Sequence, residues 1–585
     1  MDAPRVDHAT PLVVRVLPDV PAIDKTFDYL VPDAIRERVS VGDVVRIELH
    51  GRRVGGWIVE LDVEPAAGIE LRKIAKRSGV GPTREVIDLA RWGAWRWAGR
   101  QASFLKTASP DHVVPVLPRP RPSGAHDAPV GPVVRAALEA ERAVVRLPPT
   151  ADLAAVAAAA ATLGNTLVIC PTVALASMVA TRLRRSGLPV AKHPSEWAQG
   201  AAGATVVGTR AAVWAPVHEL AAVLVIDEHD EAHQQEQSPT WHARDVAVER
   251  ARRAGVPCLL TSPCPSLDAL ALGQLHVPSR TRERAGWPAV EVADRRDEEP
   301  RTAGLLSPAL AHLLRSDDRV LCVLNRTGRS KLMACTACRE LARCGTCGAA
   351  VEQPTDQLHC RRCGTDRPIV CLHCGASSFK NVRAGVTRVR EELEALVGEP
   401  VAEVSSASAS VEGSTRVVVG TEAVLRRIDR ADAVAFLDLD QELLAPRYRA
   451  AEQAFALIAR AARVVGVTAG GPAGRASGRL LLQTRSPDHE VVQAAVHADP
   501  TRVSEAERGR RELLGLPPVT AMAAISGPAA GDFIAALGGP PSLEVAAVGE
   551  AEWLVRAPDH NTLCDALAAV RRPPGRLRIE VDPLR

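Results

Sequence analysis

Four Cys-x-x-Cys pairs fall within one stretch of forty residues: Cys335/Cys338, Cys344/Cys347, Cys360/Cys363 and Cys371/Cys374, with 5, 12 and 7 residues between successive pairs. A Cys-x-x-Cys turn delivers two thiolates to one ion, and two such turns complete a tetrahedral four-sulfur site. Eight thiolates therefore predict two zinc ions, each with four protein ligands, no open position, and a structural role. Free thiols or a redox pair are the other uses of such motifs, and four pairs this close together argue for metal. Gly348, Gly364 and Gly375 follow three of the pairs, where a tight knuckle can use a positive φ. The remaining cysteines, Cys170, Cys258, Cys264, Cys322 and Cys564, lie mostly in apolar runs and are expected in cores.

The elements that hold this chemistry belong to a large soluble protein. A length of 585 residues suggests about four domains. The 46% hydrophobic and 24% charged content is that of a globular chain. Lys plus Arg (72) against Asp plus Glu (69) leaves +3, too near zero to indicate a partner. The longest apolar run, Leu153 to Ala161, falls short of the ~18 residues a membrane span needs. Met1 to His8 carries no basic-then-apolar export signal. A cytoplasmic, nucleoid-associated protein without membrane contact is expected, in which 13 cysteines read as ligands or buried thiols.

From about residue 143, short apolar runs alternate with helical stretches, the pattern of parallel sheets with crossover helices. Val144–Leu147, Thr166–Cys170, Thr205–Val207, Val223–Ile226 and Cys258–Leu260 read as buried strands. Turn or polar segments follow them, including Pro171-Thr172, Gly208-Thr209-Arg210 and Asp227-Glu228-His229, at the strand ends where open α/β sheets bind ligands. A second series runs through Val320–Leu324, Val417–Val419 and Ala433–Leu437, interrupted by the cysteine-rich insert.

The order Gly208-Thr209-Arg210, Asp227-Glu228-His229-Asp230, His242-Ala243-Arg244-Asp245, Pro265-Ser266-Leu267, Asn325-Arg326, eight cysteines and Gly420-Thr421 closely resembles the PriA family (primosomal protein N′) of replication restart proteins. Thr26-Phe27-Asp28-Tyr29-Leu30-Val31-Pro32 and Leu516-Pro517-Pro518 fit the same family, and the likeness spans nearly the whole chain. It implies an α/β multidomain fold with a β-rich amino-terminal module, two RecA-like helicase lobes, an inserted double zinc-binding region and a small α+β carboxyl-terminal domain. The expected units are a 3′-DNA-end-binding domain over 1–110, a Pro-rich linker over 111–130, a first lobe over 131–300, and a second lobe over 301–333 and 377–484. The second lobe is split by the zinc insert at 334–376, and a carboxyl-terminal domain covers 485–585. One zinc is assigned to Cys335, Cys338, Cys371 and Cys374, the other to Cys344, Cys347, Cys360 and Cys363.

The nucleotide site is another matter. A phosphate-binding loop needs glycines, a lysine and a Ser/Thr hydroxyl, and no Gly-x-x-x-x-Gly-Lys-Ser/Thr occurs in the chain. After Val144–Leu147 stands Pro148-Pro149-Thr150-Ala151-Asp152, where prolines donate no N–H and an aspartate repels phosphate. Asp227 and Glu228 are the remaining candidates for nucleotide, through Mg2+ and water; in an ungapped register with His242–Asp245, Ile226 takes the aspartate's place. The cluster of Asp227, Glu228 and Asp230 reads either as a remnant or as a site that binds ATP/Mg2+ without hydrolysis. The second lobe's Gln-x-x-Gly-Arg-x-Gly-Arg is not recovered either; Arg460, Arg463 and Gly474-Arg475-Ala476-Ser477-Gly478-Arg479 offer arginines at other spacings. Little or no ATP hydrolysis is expected, and no catalytic residue is assigned.

For DNA, the resemblance implies a pocket that grips a 3′ end through Phe27, Asp28, Tyr29, Gly51 and Arg72. An aromatic ring stacks on the terminal base and an aspartate accepts from the 3′-hydroxyl. Arg72 stands where the family usually has lysine. Residues 72–106 add nine basic side chains against Glu85 and Asp88, a local +7, interleaved with Trp92, Trp95, Trp97 and Phe104. This pattern suits either a phosphate-neutralising, base-stacking surface or a solvated helix face over a tryptophan core. The segment Pro115–Gly124 reads as an extended linker, too short for the winged-helix domain usual in the family. The whole is read as a protein that recognises stalled forks, single strands and 3′ ends, and assembles primosome proteins to load the replicative helicase, without helicase activity of its own. An active 3′-5′ helicase with an unorthodox nucleotide site and a zinc-ribbon regulator of duplex DNA are the alternatives.

Overall fold

The computed structural model describes residues 11–20, 23–65, 68, 70–120, 131–297, 305–324, 333–354, 356–381, 386–404, 415–466 and 478–584. Asn325-Arg326, residues 121–130 of the proline-rich linker and Gly474–Ser477 lie outside these residues.

Residues 13–79 form a five-stranded antiparallel sheet in the order Phe27–Leu30, Val13–Pro18, Arg52–Leu61, Val44–Leu49, Lys76–Gly79. Alternation along Val44–Leu49 sends Val45, Ile47 and Leu49 inward and Arg46 and Glu48 outward, as a half-buried strand requires. His50 and Gly51, both at positive φ, make the two-residue turn between the two longest-paired strands. That conformation matches strand twist and favours glycine at its second position. A helical hairpin follows, Arg84–Arg96 and Gln101–Ala108.

The first lobe is a seven-stranded parallel sheet in the order Gln274–His276, Arg142–Arg146, Cys258–Ser262, Leu220–Ile226, Asn165–Ile169, Thr205–Gly208, Val190–Lys192. The second is a six-stranded parallel sheet in the order Ala289–Asp294, Arg479–Thr484, Ala433–Phe436, Val320–Val323, Val417–Gly420, Ala402–Val404. The central strands of both are apolar throughout, as strands covered on both faces by helices must be.

The strand Ala289–Asp294 pairs along its whole length with Arg479–Thr484, so the second sheet begins ahead of the boundary expected at residue 301. The helices Glu490–His497 and Thr501–Leu514, expected in the carboxyl-terminal domain, pack Val491, Val492, Ala494, Ala495 and Val503 into the second lobe's core instead. Short apolar faces of this kind carry no mark of the neighbour they will cover. What remains is a four-stranded antiparallel sheet in the order Glu544–Gly549, Glu552–Ala557, Ala521–Ser526, Arg578–Val581, with helices Ala530–Leu537 and His560–Ala569. No described helix is long and apolar enough to cross a membrane.

Candidate functional sites: two thiolate clusters, a 3′-end pocket and an interlobe cleft

The four Cys-x-x-Cys turns share one local geometry. In each, the residue after the second cysteine adopts positive φ and donates its N–H to the first cysteine's carbonyl: Arg339 to Cys335 (3.0 Å), Gly348 to Cys344 (3.0 Å), Gly364 to Cys360 (2.8 Å) and Gly375 to Cys371 (3.0 Å). The chain then crosses over so that first and fourth pairs meet and second and third pairs meet. The Sγ atoms of Cys335 and Cys374 lie 3.6 Å apart, and those of Cys338 and Cys371 lie 3.5 Å apart. In the other set, Cys344–Cys363 and Cys347–Cys360 are each 3.5 Å apart. All ligand atoms of a set lie within 4.8 Å of one another. A tetrahedral ion with sulfurs at roughly 2.3 Å spaces those sulfurs by about 3.8 Å, so each cluster fits one tetrathiolate ion. The two sets are those assigned from the sequence. The other five cysteines are buried, as expected.

The edge strand Phe27–Leu30 and the hairpin turn at His50-Gly51 frame an open cavity of about 600 Å³, lined by Phe27, Asp28, Tyr29, Glu48, His50 and Arg72 among others. Alternation splits the strand's roles. Tyr29 points into the module's core, 4% exposed, and its hydroxyl donates to the Glu48 carbonyl at 2.9 Å. Phe27 keeps a half-buried ring, with Lys25 Nζ 5.4 Å from its centroid. The Asp28 carboxylate accepts from Arg15 Nε at 2.9 Å, and Arg15 also reaches Glu60 at 2.9 Å. Arg72 pairs with Glu48 in solvent. Gly51 meets nothing where a Cβ would stand, so its role is the turn and not close approach of a neighbour.

The tryptophans among the basic residues prove to be a core. Trp97 packs edge-on against Trp92 at 5.2 Å and beside Phe104 at 6.3 Å. Phe104 packs against Trp214 at 5.1 Å, and Trp214 against Trp241 at 5.6 Å. Trp57 Nε1 and Trp197 Nε1 clamp the hairpin's exit at Ser109 Oγ and the Ala108 carbonyl, each at 2.8 Å. The hairpin therefore rivets the amino-terminal sheet to the first lobe. Two cations of the basic stretch are also committed: Arg96 of the hairpin to Asp582, and Arg77 of the strand before it to Asp43 at 2.7 Å. Trp97 and Phe104 are covered and present no face to a base, whereas Trp92 and Trp95 are only half-buried.

Between the lobes, the carboxylates following the strand Leu220–Ile226 meet arginines of the helix Ala450–Gly466. Asp227, 3% exposed and at positive φ, receives two hydrogen bonds from Arg463, one of them 2.9 Å. Arg463 Nε donates to the Pro149 carbonyl at 3.1 Å, so one guanidinium bridges the proline loop and the acidic motif. Asp230 takes Arg460 at 2.6 Å and Arg426 at 3.3 Å. Glu228 is fully buried, with Ser266 N and Oγ each at 2.8 Å and Arg244 at 3.3 Å. Burial pushes the Asp227 carboxyl up, but the Arg463 charge overrides it and the group sits below its ordinary value. For Glu228 burial wins over Arg244 and Ser266, and its carboxyl is raised. Burial likewise lowers His229 to about 4, so this histidine is neutral at physiological pH. Asp227 and Glu228 thus come together as expected, but every described oxygen of the pair already has a partner. Arg463, noted in the sequence only as an arginine at the wrong spacing, carried no signal of the carboxylate it would meet.

A family model described as the 3′ DNA-binding domain of PriA matches residues 15–110. The Mycobacterium tuberculosis protein named "Probable replication restart protein PriA" is 31% identical, covering 95% of this chain and 90% of its own. Its Mycobacterium leprae counterpart is 30% identical over 95% and 92%. The Bacillus subtilis replication restart protein PriA is 26% identical over 55% and 43%. Among solved structures, yeast Dbp5 bound to RNA and ADP BeF3 aligns with 64% of this chain and 89% of its own at TM-score 0.35 and 11% identity, too remote to carry weight beside the sheets described above. Near-complete coverage by relatives at this identity, with the family's own amino-terminal domain model on residues 15–110, places the chain in the PriA family of replication restart proteins.

Proposed function

We propose that the protein recognises abandoned replication forks through a 3′-end pocket on its amino-terminal module and acts as a scaffold on which a primosome is assembled and the replicative helicase loaded, without unwinding DNA itself. The reading is supported most directly by one contrast. The cavity around Phe27, Asp28 and Arg72 is open and keeps an aromatic ring, a carboxylate and a cation at its wall. The cleft around Asp227 and Glu228 has its carboxylates taken up by arginines. In the pocket, Phe27 stacks a terminal base, Asp28 accepts from the 3′-hydroxyl while Arg15 holds its carboxylate in place, and Arg72 neutralises phosphate. Both thiolate clusters hold zinc; with four sulfurs each they leave no open coordination position, and they brace the insert on the second lobe. The protein works in the cytoplasm, at the nucleoid.

The deciding measurement is binding of purified protein to a labelled fork with a 3′-hydroxyl at the branch, the same fork carrying a 3′-phosphate, and linear duplex, each with and without Mg·ATP, beside ATP hydrolysis. Preference for the 3′-hydroxyl fork, independent of ATP and without DNA-stimulated hydrolysis, is expected. Brisk hydrolysis, or equal affinity for all three DNAs, would reject the reading.

A further inference from the structure

We infer that the two lobes are clamped together by their own side chains, arginines of the second lobe occupying the acceptors that a metal–nucleotide complex would need, so that the cleft is shut without nucleotide and does not respond to it. This rests on the reading of the chain as a scaffold with a dismantled motor.

The charges across the cleft are sorted by lobe. Asp227, Asp230 and Asp268 come from the first lobe; Arg426, Arg449, Arg460 and Arg463 come from the second. Arg449 grips Asp268 with two hydrogen bonds, at 2.6 and 3.0 Å. All three aspartates are buried. Two-point guanidinium–carboxylate contacts fix orientation as well as distance, so the two in this interface, Arg463 on Asp227 and Arg449 on Asp268, specify a single relative placement of the lobes. Backbone contacts reinforce it: Leu267 N donates to Glu452 Oε1 at 2.8 Å, and Arg463 Nε reaches Pro149. The helix Ala450–Gly466 supplies Glu452, Arg460 and Arg463, the two arginines three positions apart and thus on one face.

A ligand shifts a conformational equilibrium only by what it gains in one state over the other. Magnesium would have to take Asp227 from Arg463 and then sit beside a guanidinium. Phosphates would find a loop with two prolines and no lysine, whose Pro149 carbonyl is already an acceptor for Arg463. Nucleotide therefore has no contact to offer that the closed cleft lacks.

The test is amide hydrogen exchange of the full chain, following the helix Ala450–Gly466 and residues 147–152. In the unmodified protein, protection is expected to be the same with and without Mg·ATP or Mg·ADP. In Arg460→Ala/Arg463→Ala, exchange across these two segments is expected to rise at least tenfold, with metal content and carboxyl-terminal protection unchanged. Asp227→Arg/Arg463→Asp is expected to recover part of the protection. Nucleotide-dependent protection in the unmodified chain would overturn the clamp, as would a double-alanine protein exchanging like the parent. The nucleotide titration stands alone if the variants fail to fold. Fork binding on the same preparation separates the two ideas: its absence rejects the scaffold reading and leaves the clamp standing, whereas nucleotide-dependent exchange rejects the clamp and leaves fork binding standing.

Discussion

Arg96 donates from Nη2 to Asp582 Oδ2 at 2.7 Å, joining residues 486 positions apart and tying the tryptophan hairpin to the carboxyl-terminal sheet. His560 Nε2 completes the contact at 2.9 Å, and Trp95 Nε1 reaches Asp565 at 2.8 Å alongside it. Burial alone would raise the Asp582 carboxyl; Arg96 and His560 instead hold it well below the ordinary range. Arg96→Ala leaves that carboxylate with His560 alone, and a loss of about 3 kcal/mol is expected. The sign with pH follows from the depressed value. The pair's contribution is complete above the unfolded carboxyl pKa of about 3.9 and fades as pH falls below it. Thermal unfolding of parent and variant should differ fully at pH 7 and the gap should narrow progressively from about pH 4 downward. A constant gap across that range would show that Arg96 acts by packing alone.

The metal clusters differ in how deeply they sit. Cys347 lies in a small apolar core with Ala349, Val351 and Leu358, whereas Cys374 is exposed. Cys347→Ser and Cys374→Ser should each lower zinc from two to one per chain by elemental analysis. Only the first should also expose the insert to protease, because it opens packing as well as coordination. Equal proteolysis in both variants would mean that metal, not packing, holds the insert.

Asp438 follows the strand Ala433–Phe436 and is raised to about 6, by burial first and then by the neighbouring Asp440. An acid whose folded pKa lies above its unfolded value destabilises the fold as pH rises through that interval. Asp438→Asn keeps an acceptor for Gln441 Nε2, now 2.7 Å away, and removes the charge. Discounted for the residue's partial exposure, a gain of about 1 kcal/mol is expected at pH 7.5 and none at pH 4. Equal stability of the two proteins at both values would place the Asp438 charge in solvent.

In the 3′-end pocket, the two rings of the edge strand should separate cleanly. Phe27→Ala removes a stacking face and is expected to weaken 3′-ended fork binding by about 5- to 150-fold, from the roughly 1–3 kcal/mol of a stacked base. Tyr29→Phe loses only the bond to the Glu48 carbonyl, costing about 1 kcal/mol of stability with DNA affinity unchanged. The opposite pattern in a fluorescence-anisotropy titration would put the base on Tyr29.

Much of this architecture was legible in the residues themselves. Runs such as Val223–Ile226 and Ala433–Phe436 are apolar throughout because both sheet faces are covered, and four Cys-x-x-Cys pairs in forty residues call for two four-sulfur sites. What the residues left open depended on which distant surface an element would meet. Trp97 and Phe104 have the composition of a stacking surface and the address of a core, and only Trp214 and Trp241, more than a hundred positions on, decide between them. The strand Ala289–Asp294 alternates like an edge and reads equally well with either lobe until its register with Arg479–Thr484 is seen. Arg463 is likewise unremarkable on its helix, since nothing local announces an aspartate 236 positions earlier.

That pairing of Ala289–Asp294 with Arg479–Thr484 also constrains how the protein comes off the ribosome. The two strands are adjacent in space, yet the cysteine-rich insert and the four other strands of their sheet are synthesised between them. During translation the first partner must wait, unpaired, until nearly two hundred later residues have emerged. Sheets closed by such distant partners form late and leave an open edge in the meantime. Nascent chains stalled inside this interval should be the ones that chaperones hold.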